Sequence, residues 1–233
     1  MSRIAHGELT LYNPLSDADL DEAIGLLDLA PGARVLDVAC GTAEVLRRIA
    51  ARWEIEGVGY DADAEQIERA RRAAPGLDLR VAGEPPPGPF DLVVCIGSSH
   101  ALGGFPAALE RLCDLGGQVL LGEGYWRREP SAEYLAALGG ATADELPDYG
   151  GLFAAAQQAG LTPLWSCVAS ERDWDRYEWT QVLNAERHGA EQLRERAAAA
   201  RRRLTMPGGR ETLGFALVLL TRARSNHADP RCV

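Results

Sequence analysis

The segment GSSHALGG, residues 97–104, follows directly on an apolar run, FDLVVCI, and carries His100, one of only four histidines in the chain. Imidazole is the side chain that exchanges a proton near neutral pH, so a histidine where a buried strand stops is a candidate general base. Two serines, Ser98 and Ser99, accompany it. A carboxylate, Asp37, lies in a second apolar run, VLDVACGTAEV (35–45), just before a turn of small residues. A turn built from glycine and alanine lets a ligand approach the backbone, and the helix that follows offers free N–H groups. The G-x-G-x-x-G pattern of a dinucleotide site is missing, since its register gives Ala39, Gly41 and Glu44. Glu44 at the helix start would repel a pyrophosphate, and Asp37 suits the cationic end of a ligand.

These residues need elements to position them, and the first half of the chain supplies a regular alternation. Near-continuous apolar runs at 34–40, 55–61, 77–83, 90–97 and 116–124 read as strands. Amphipathic stretches at 16–29, 42–53, 63–74 and 105–115 read as helices. Strands without polar alternation, separated by helices, predict a doubly wound, mostly parallel sheet covered on both faces. The second half is less regular: a helix at 149–161, a strand at 162–170, about thirty residues of helix over 173–204 bent at Gly189, and a final strand at 212–222. The expected organisation is a single domain over 1–224 with a helical insertion at 171–206 before the last strand, and a disordered tail at 225–233.

Composition narrows the function. With 233 residues and 46% hydrophobic side chains the chain can bury a sizeable core. A net charge of −10 argues against a dedicated nucleic-acid binder and against docking on an anionic membrane. All 24 basic residues are arginine, which excludes a Schiff-base lysine and a P-loop lysine. The five cysteines show no metal spacing and no signal segment is present, so reduced thiols, a cytoplasmic location and no metal site are expected.

Taken in order, the strand ends resemble class I S-adenosylmethionine-dependent methyltransferases of the small-molecule type. The resemblance runs from about residue 26 to 121 and loosely to the last strand. VLDVACGTAEV is similar to the family's first motif, with Ala39 and Ala43 where it has the first and third of three glycines. The second of them would put a methyl where helix and cofactor approach. The resemblance implies S-adenosyl-L-methionine as cofactor, held by Asp37, Ala39 and Gly41. Asp61, ending GVGYD, would chelate the ribose hydroxyls, which suits the geometry of a carboxylate. Ala62 would lie against the adenine, and Glu84, after Gly83, would accept from the adenine amine. Ile96 and an amino-terminal flap carrying Tyr12 and Asn13 complete the cofactor set.

In such a fold the strand ending at Ile96 delivers His100 to the reactive methyl group, as the catalytic base. Ser99 and the residues of the next strand end, Glu123, Tyr125 and Trp126, would face the acceptor. In the insertion, Trp174, Tyr177, Gln181 and His188 fall near one helix face, and an aromatic face there could close over the pocket. Trp174 and Tyr177 are candidate acceptor contacts, although an ordinary core stripe explains them equally. The absence of D/N-P-P-Y after residue 97 argues against adenine- and glutamine-type amino methylation. The reading is methyl transfer to oxygen or nitrogen of a small molecule. A non-catalytic module of the same fold, and a methyltransferase acting on protein or tRNA, are the alternatives. A homodimer stays open.

Overall fold

The computed structural model describes residues 6, 7, 9–189 and 191–223, so the expected tail lies outside the described residues. Strands β1 (Ala33–Val38), β2 (Ile55–Asp61), β3 (Asp78–Val81), β4 (Phe90–Ile96), β5 (Gly116–Trp126), β6 (Leu161–Val168) and β7 (Leu213–Arg222) form one sheet. Their order is β3-β2-β1-β4-β5-β7-β6. The first five are parallel, and β7 enters antiparallel between β5 and β6. Sequence order therefore reverses at β1 and β4, and the ligand crevice of a doubly wound sheet opens at such a reversal.

Alternation along the strands explains why they read as unbroken apolar runs. Val35, Leu92, Val94 and Leu120 face one layer, with α1 (Asp17–Gly25), α2 (Glu44–Arg52) and α3 (Ala64–Ala73). Leu36, Val93, Cys95 and Leu121 face the other, with α4 (Phe105–Leu115) and α6 (Tyr149–Gln158). Both faces are dry, so neither needs polar residues. A short helix, α5 (Ala132–Ala137), lies between β5 and α6.

The structure departs from the expected elements at two places. The 30-residue helix is two helices, α7 (Glu171–His188) and α8 (Glu191–Thr205), not one bent rod. Gly189 leaves the helix with ψ 147°, and a Cβ there would stand 2.4 Å from the Ala185 carbonyl oxygen, so the break needs glycine. The Arg203–Glu178 and Arg201–Glu186 ion pairs fold α8 back along α7, and the hairpin has a small core of Val182, Ala185 and Ala197. The strand expected to end at residue 124 continues through Trp126, because β7 pairs with it out to Leu213.

Candidate active site at the carboxyl ends of β1, β2 and β4

A cavity of about 370 Å³ opens where the carboxyl ends of β1, β2 and β4 meet. From the residues expected to bind the cofactor it gathers Tyr12, Asp37, Ala39, Gly41, Asp61, Ala62 and Ile96, and it also gathers His100. The turn after β1 explains the shape. Ala39, Gly41 and Ala43 all have left-handed backbone, with φ 48°, 55° and 57°. Left-handed alanine costs roughly 1–2 kcal/mol, so the alternating turn is held against strain at two of three positions. The Ala43 methyl was expected where helix and cofactor approach. The structure buries it with Leu46 and Ile49 in the core, off the cavity wall.

The turn is tied to β2 through Asp61. One carboxylate oxygen accepts the Gly41 N–H at 2.9 Å and the other accepts the Asp63 N–H at 2.8 Å. Each oxygen keeps a further lone pair, and the carboxylate is fixed in orientation before any ligand arrives. Asp37 is only 4% exposed. Burial pushes its carboxyl up to about 8; the Leu46 N–H opposes this and the nearby Asp61 charge adds to it. A buried acid of this kind favours a cation beside it. Glu44 also lines the cavity, but its carboxylate is engaged by Arg47 and Arg48, and Arg48 reaches on to Asp17 and Asp21. That network joins α1 to α2 and offsets the negative charge at the helix start.

On the opposite wall, Gly97 donates to the Gly122 carbonyl at 2.8 Å with φ 67°, and the chain then enters a single 3-10 turn, Ser99–Leu102. This presents His100 as an exposed side chain at the cavity, keeps the buried Ser98 in the cavity wall, and buries Ser99 off that wall. The Ser98 hydroxyl lies 3.3 Å from the Cys95 sulfur, and Gly104 rather than either serine caps α4. Glu123, 7% exposed, lies behind the same turn. Burial raises its carboxyl above the usual range, while Ser99, the Gly124 N–H and His100 draw it back.

Other sequence candidates stand elsewhere. Glu84 is 72% exposed and pairs with Arg111 of α4 at 2.5 Å, away from the cavity wall. Tyr125 packs against Tyr149, and the Trp126 indole donates to the Ala143 carbonyl at 2.8 Å. Trp174 lies edge-on to Tyr177, and the Tyr177 hydroxyl donates to the Tyr12 carbonyl at 3.1 Å. His188 is exposed at the end of α7. Two buried polar residues of the cavity wall were not singled out from the sequence, Tyr60 and Gln66. Among the described residues, the Tyr60 hydroxyl and the Gln66 amide oxygen have no hydrogen-bond partner. The signal for Gln66 was available: it is a polar residue on the apolar face of α3, beside Ile67 and Ala70. Among the described residues no cluster of His, Cys, Asp and Glu could hold a metal ion, and no helix is long and apolar enough to cross a membrane.

A seven-stranded sheet of this order, with carboxylates ending β1 and β2 beside a left-handed turn, defines a class I S-adenosylmethionine-dependent methyltransferase, and the chain belongs to that family. Residues 35–115 match the methyltransferase domain model. The uncharacterized protein YjhP of Escherichia coli K12 is 30% identical over 197 residues, spanning 79% of each chain. Its X-ray structure superposes with a TM-score of 0.82 at 26% identity, over 94% of this chain and 98% of that one. A methyltransferase from Thiobacillus denitrificans, solved with S-adenosyl-L-homocysteine, gives 0.77 at 25% identity over 94% and 97%. A shorter match, 39% over 69 residues and covering 27% of this chain and 21% of the other, is to indolepyruvate C-methyltransferase of Streptomyces griseus. The cofactor is S-adenosyl-L-methionine. The cavity fits it: a buried acid for an ammonium group, a fixed carboxylate with free lone pairs for a diol, and a glycine turn whose Cβ position at Gly41 is open.

Proposed function

We infer that the protein transfers a methyl group to oxygen or nitrogen of a small-molecule acceptor, with His100 as the general base. The observation that carries this reading is the placement of His100 in the same cavity as Asp37 and Asp61. When bound, S-adenosylmethionine supplies the methyl as an electrophile on a sulfonium. Asp37 would pair with the amino group of its methionine end. Asp61 would accept from the ribose hydroxyls, already oriented by Gly41 and Asp63. Ala62 and Ile96 would flank the adenine. An acceptor hydroxyl or ammonium must lose its proton to present a lone pair, and His100, facing the cavity from the 3-10 turn, is placed to take it. Orientation supplies much of the remaining rate. The acidic chain also favours small acceptors over nucleic acid.

A second reading, methylation at carbon, has one observation in its favour: the local match to an enzyme named as an indolepyruvate C-methyltransferase. A panel of phenol, carboxylate, amine and 2-oxo-acid acceptors, scored by S-adenosylhomocysteine production and product mass, separates the two. The His100→Ala variant should lose ~10²-fold or more in kcat and keep its affinity for S-adenosylhomocysteine. Unchanged kcat would remove His100 from the chemistry. Turnover confined to 2-oxo acids would favour the second reading.

A further inference from the structure

The residues just before α1, Thr10 to Asn13, form part of the cavity wall beside the first-motif turn. Leu11 and Leu15 pin this strap to the core, and Asn13 accepts the Leu15 N–H at 3.3 Å. Its other attachment is to the helical insertion. The Tyr177 hydroxyl donates to the Tyr12 carbonyl at 3.1 Å, and Arg176 reaches the Leu15 carbonyl at 3.4 Å. The Tyr12 ring stacks on His6 with centroids 4.2 Å apart, and Tyr177 closes the group at 6.0 Å. Glu178, the next residue in α7, is anchored to α8 by its buried pair with Arg203. The strap therefore forms one wall of the cofactor cavity while its middle is fastened to a hairpin far away in sequence.

We propose that Tyr177 is a positioning residue for the cofactor: it latches the strap in place at the cavity wall, so that cofactor leaves only when α7 lifts from Tyr12. This assigns to Tyr177 a role toward the strap instead of direct contact with an acceptor, and it rests on the cavity being the S-adenosylmethionine site. Lid movement and cofactor exchange become one event. Burial and the nearby Glu178 push the Tyr177 phenol up to about 12, so the hydroxyl stays a donor through the neutral range.

The test uses the full chain with S-adenosylhomocysteine as probe, and follows its release by stopped-flow displacement in wild type, Tyr177→Phe and Trp179→Ala. Trp179 is exposed on the same helix and takes no part in the latch. Removing one hydrogen bond to a carbonyl should speed release about three- to tenfold in Tyr177→Phe, with the association rate and melting temperature little changed. Trp179→Ala should behave as wild type. Amide exchange over residues 10–15, measured without ligand, should accelerate in Tyr177→Phe by a similar factor. Unchanged release and unchanged exchange would overturn the latch. If wild type fails to bind the probe, the cofactor assignment of the cavity fails instead, and the ligand-free exchange comparison still decides whether Tyr177 holds the strap.

Discussion

Asp61→Asn tests the cofactor site with minimal disturbance of shape. In the native structure both carboxylate oxygens accept backbone N–H groups, from Gly41 and Asp63. Asparagine keeps one acceptor and turns the other into an NH₂ that must face one of these donors. A ribose hydroxyl that relied on that oxygen loses a charged acceptor, and hydrogen bonds to charged groups are worth about 1.5–3 kcal/mol. A loss of ~2 kcal/mol weakens binding about 30-fold. A smaller opposing effect follows from the charge removed: the Asp61 carboxylate helps to raise Asp37, so Asp37 ionises more readily in the variant and holds an ammonium better. Calorimetric titration with S-adenosylhomocysteine at pH 9, above the Asp37 titration in either protein, removes that compensation. A Kd within threefold of wild type, in a variant that melts normally, would refute the assignment of the ribose diol to Asp61.

Asp37 should also tie affinity to pH. Its folded carboxyl titrates at about 8, and an ammonium group requires the ionised form, so Kd for S-adenosylhomocysteine should rise as pH falls below 8, by up to about tenfold per unit. In the ligand-free protein the sign is opposite. Between about 4 and 8 the folded state keeps a proton the unfolded state has lost, so stability falls as pH rises through that window and flattens above it. Asp37→Asn should flatten the profile of melting temperature against pH and abolish tight binding; a variant whose melting still tracks the wild-type profile would place the titration elsewhere. Gly41→Ala should cost ~1–2 kcal/mol of stability from left-handed backbone alone, since its Cβ would meet nothing within 4 Å; denaturant melts would show it, and a neutral effect would mean the turn relaxes. Arg203→Ala leaves Glu178 charged and buried and should destabilise by ~3–5 kcal/mol, with protease nicking concentrated in α7 and α8. Cleavage spread evenly over the chain would mean that the hairpin is not held by this pair.

The parallel half of the sheet was legible because its central strands β1, β4 and β5 are buried on both faces and so read as apolar runs between amphipathic helices. Asp37 and Asp61 were legible because they interrupt those runs at their ends. The antiparallel entry of β7 between β5 and β6 was not readable from local pattern, since strand order is set by contacts nearly a hundred residues apart in the chain. The partner of Glu84 was hidden for the same reason: Arg111 lies on a helix two elements later. Gly189 marked the place of the discontinuity in the sequence, but strong helix formers on both sides suggested a bend and not a full break, which depends on a carbonyl close behind the glycine. The direction in which Tyr125 and Trp126 point followed from how far β7 extends the pairing of β5, and nothing in their own sequence marks that limit.

The position of β7 also orders the steps of assembly. β6 meets the rest of the sheet only through β7, so a chain emerging from the ribosome with β6 complete has no neighbour to offer it. The parallel strands β1 to β5 can pair as they appear, while β6 and the hairpin after it must wait, unpaired, until residue 213 and beyond are free. Long-range pairing of this kind is slow, and an apolar strand left waiting is exposed to other chains. Pro163 and the register shift beside it make β6 a poor template for a foreign strand during that interval.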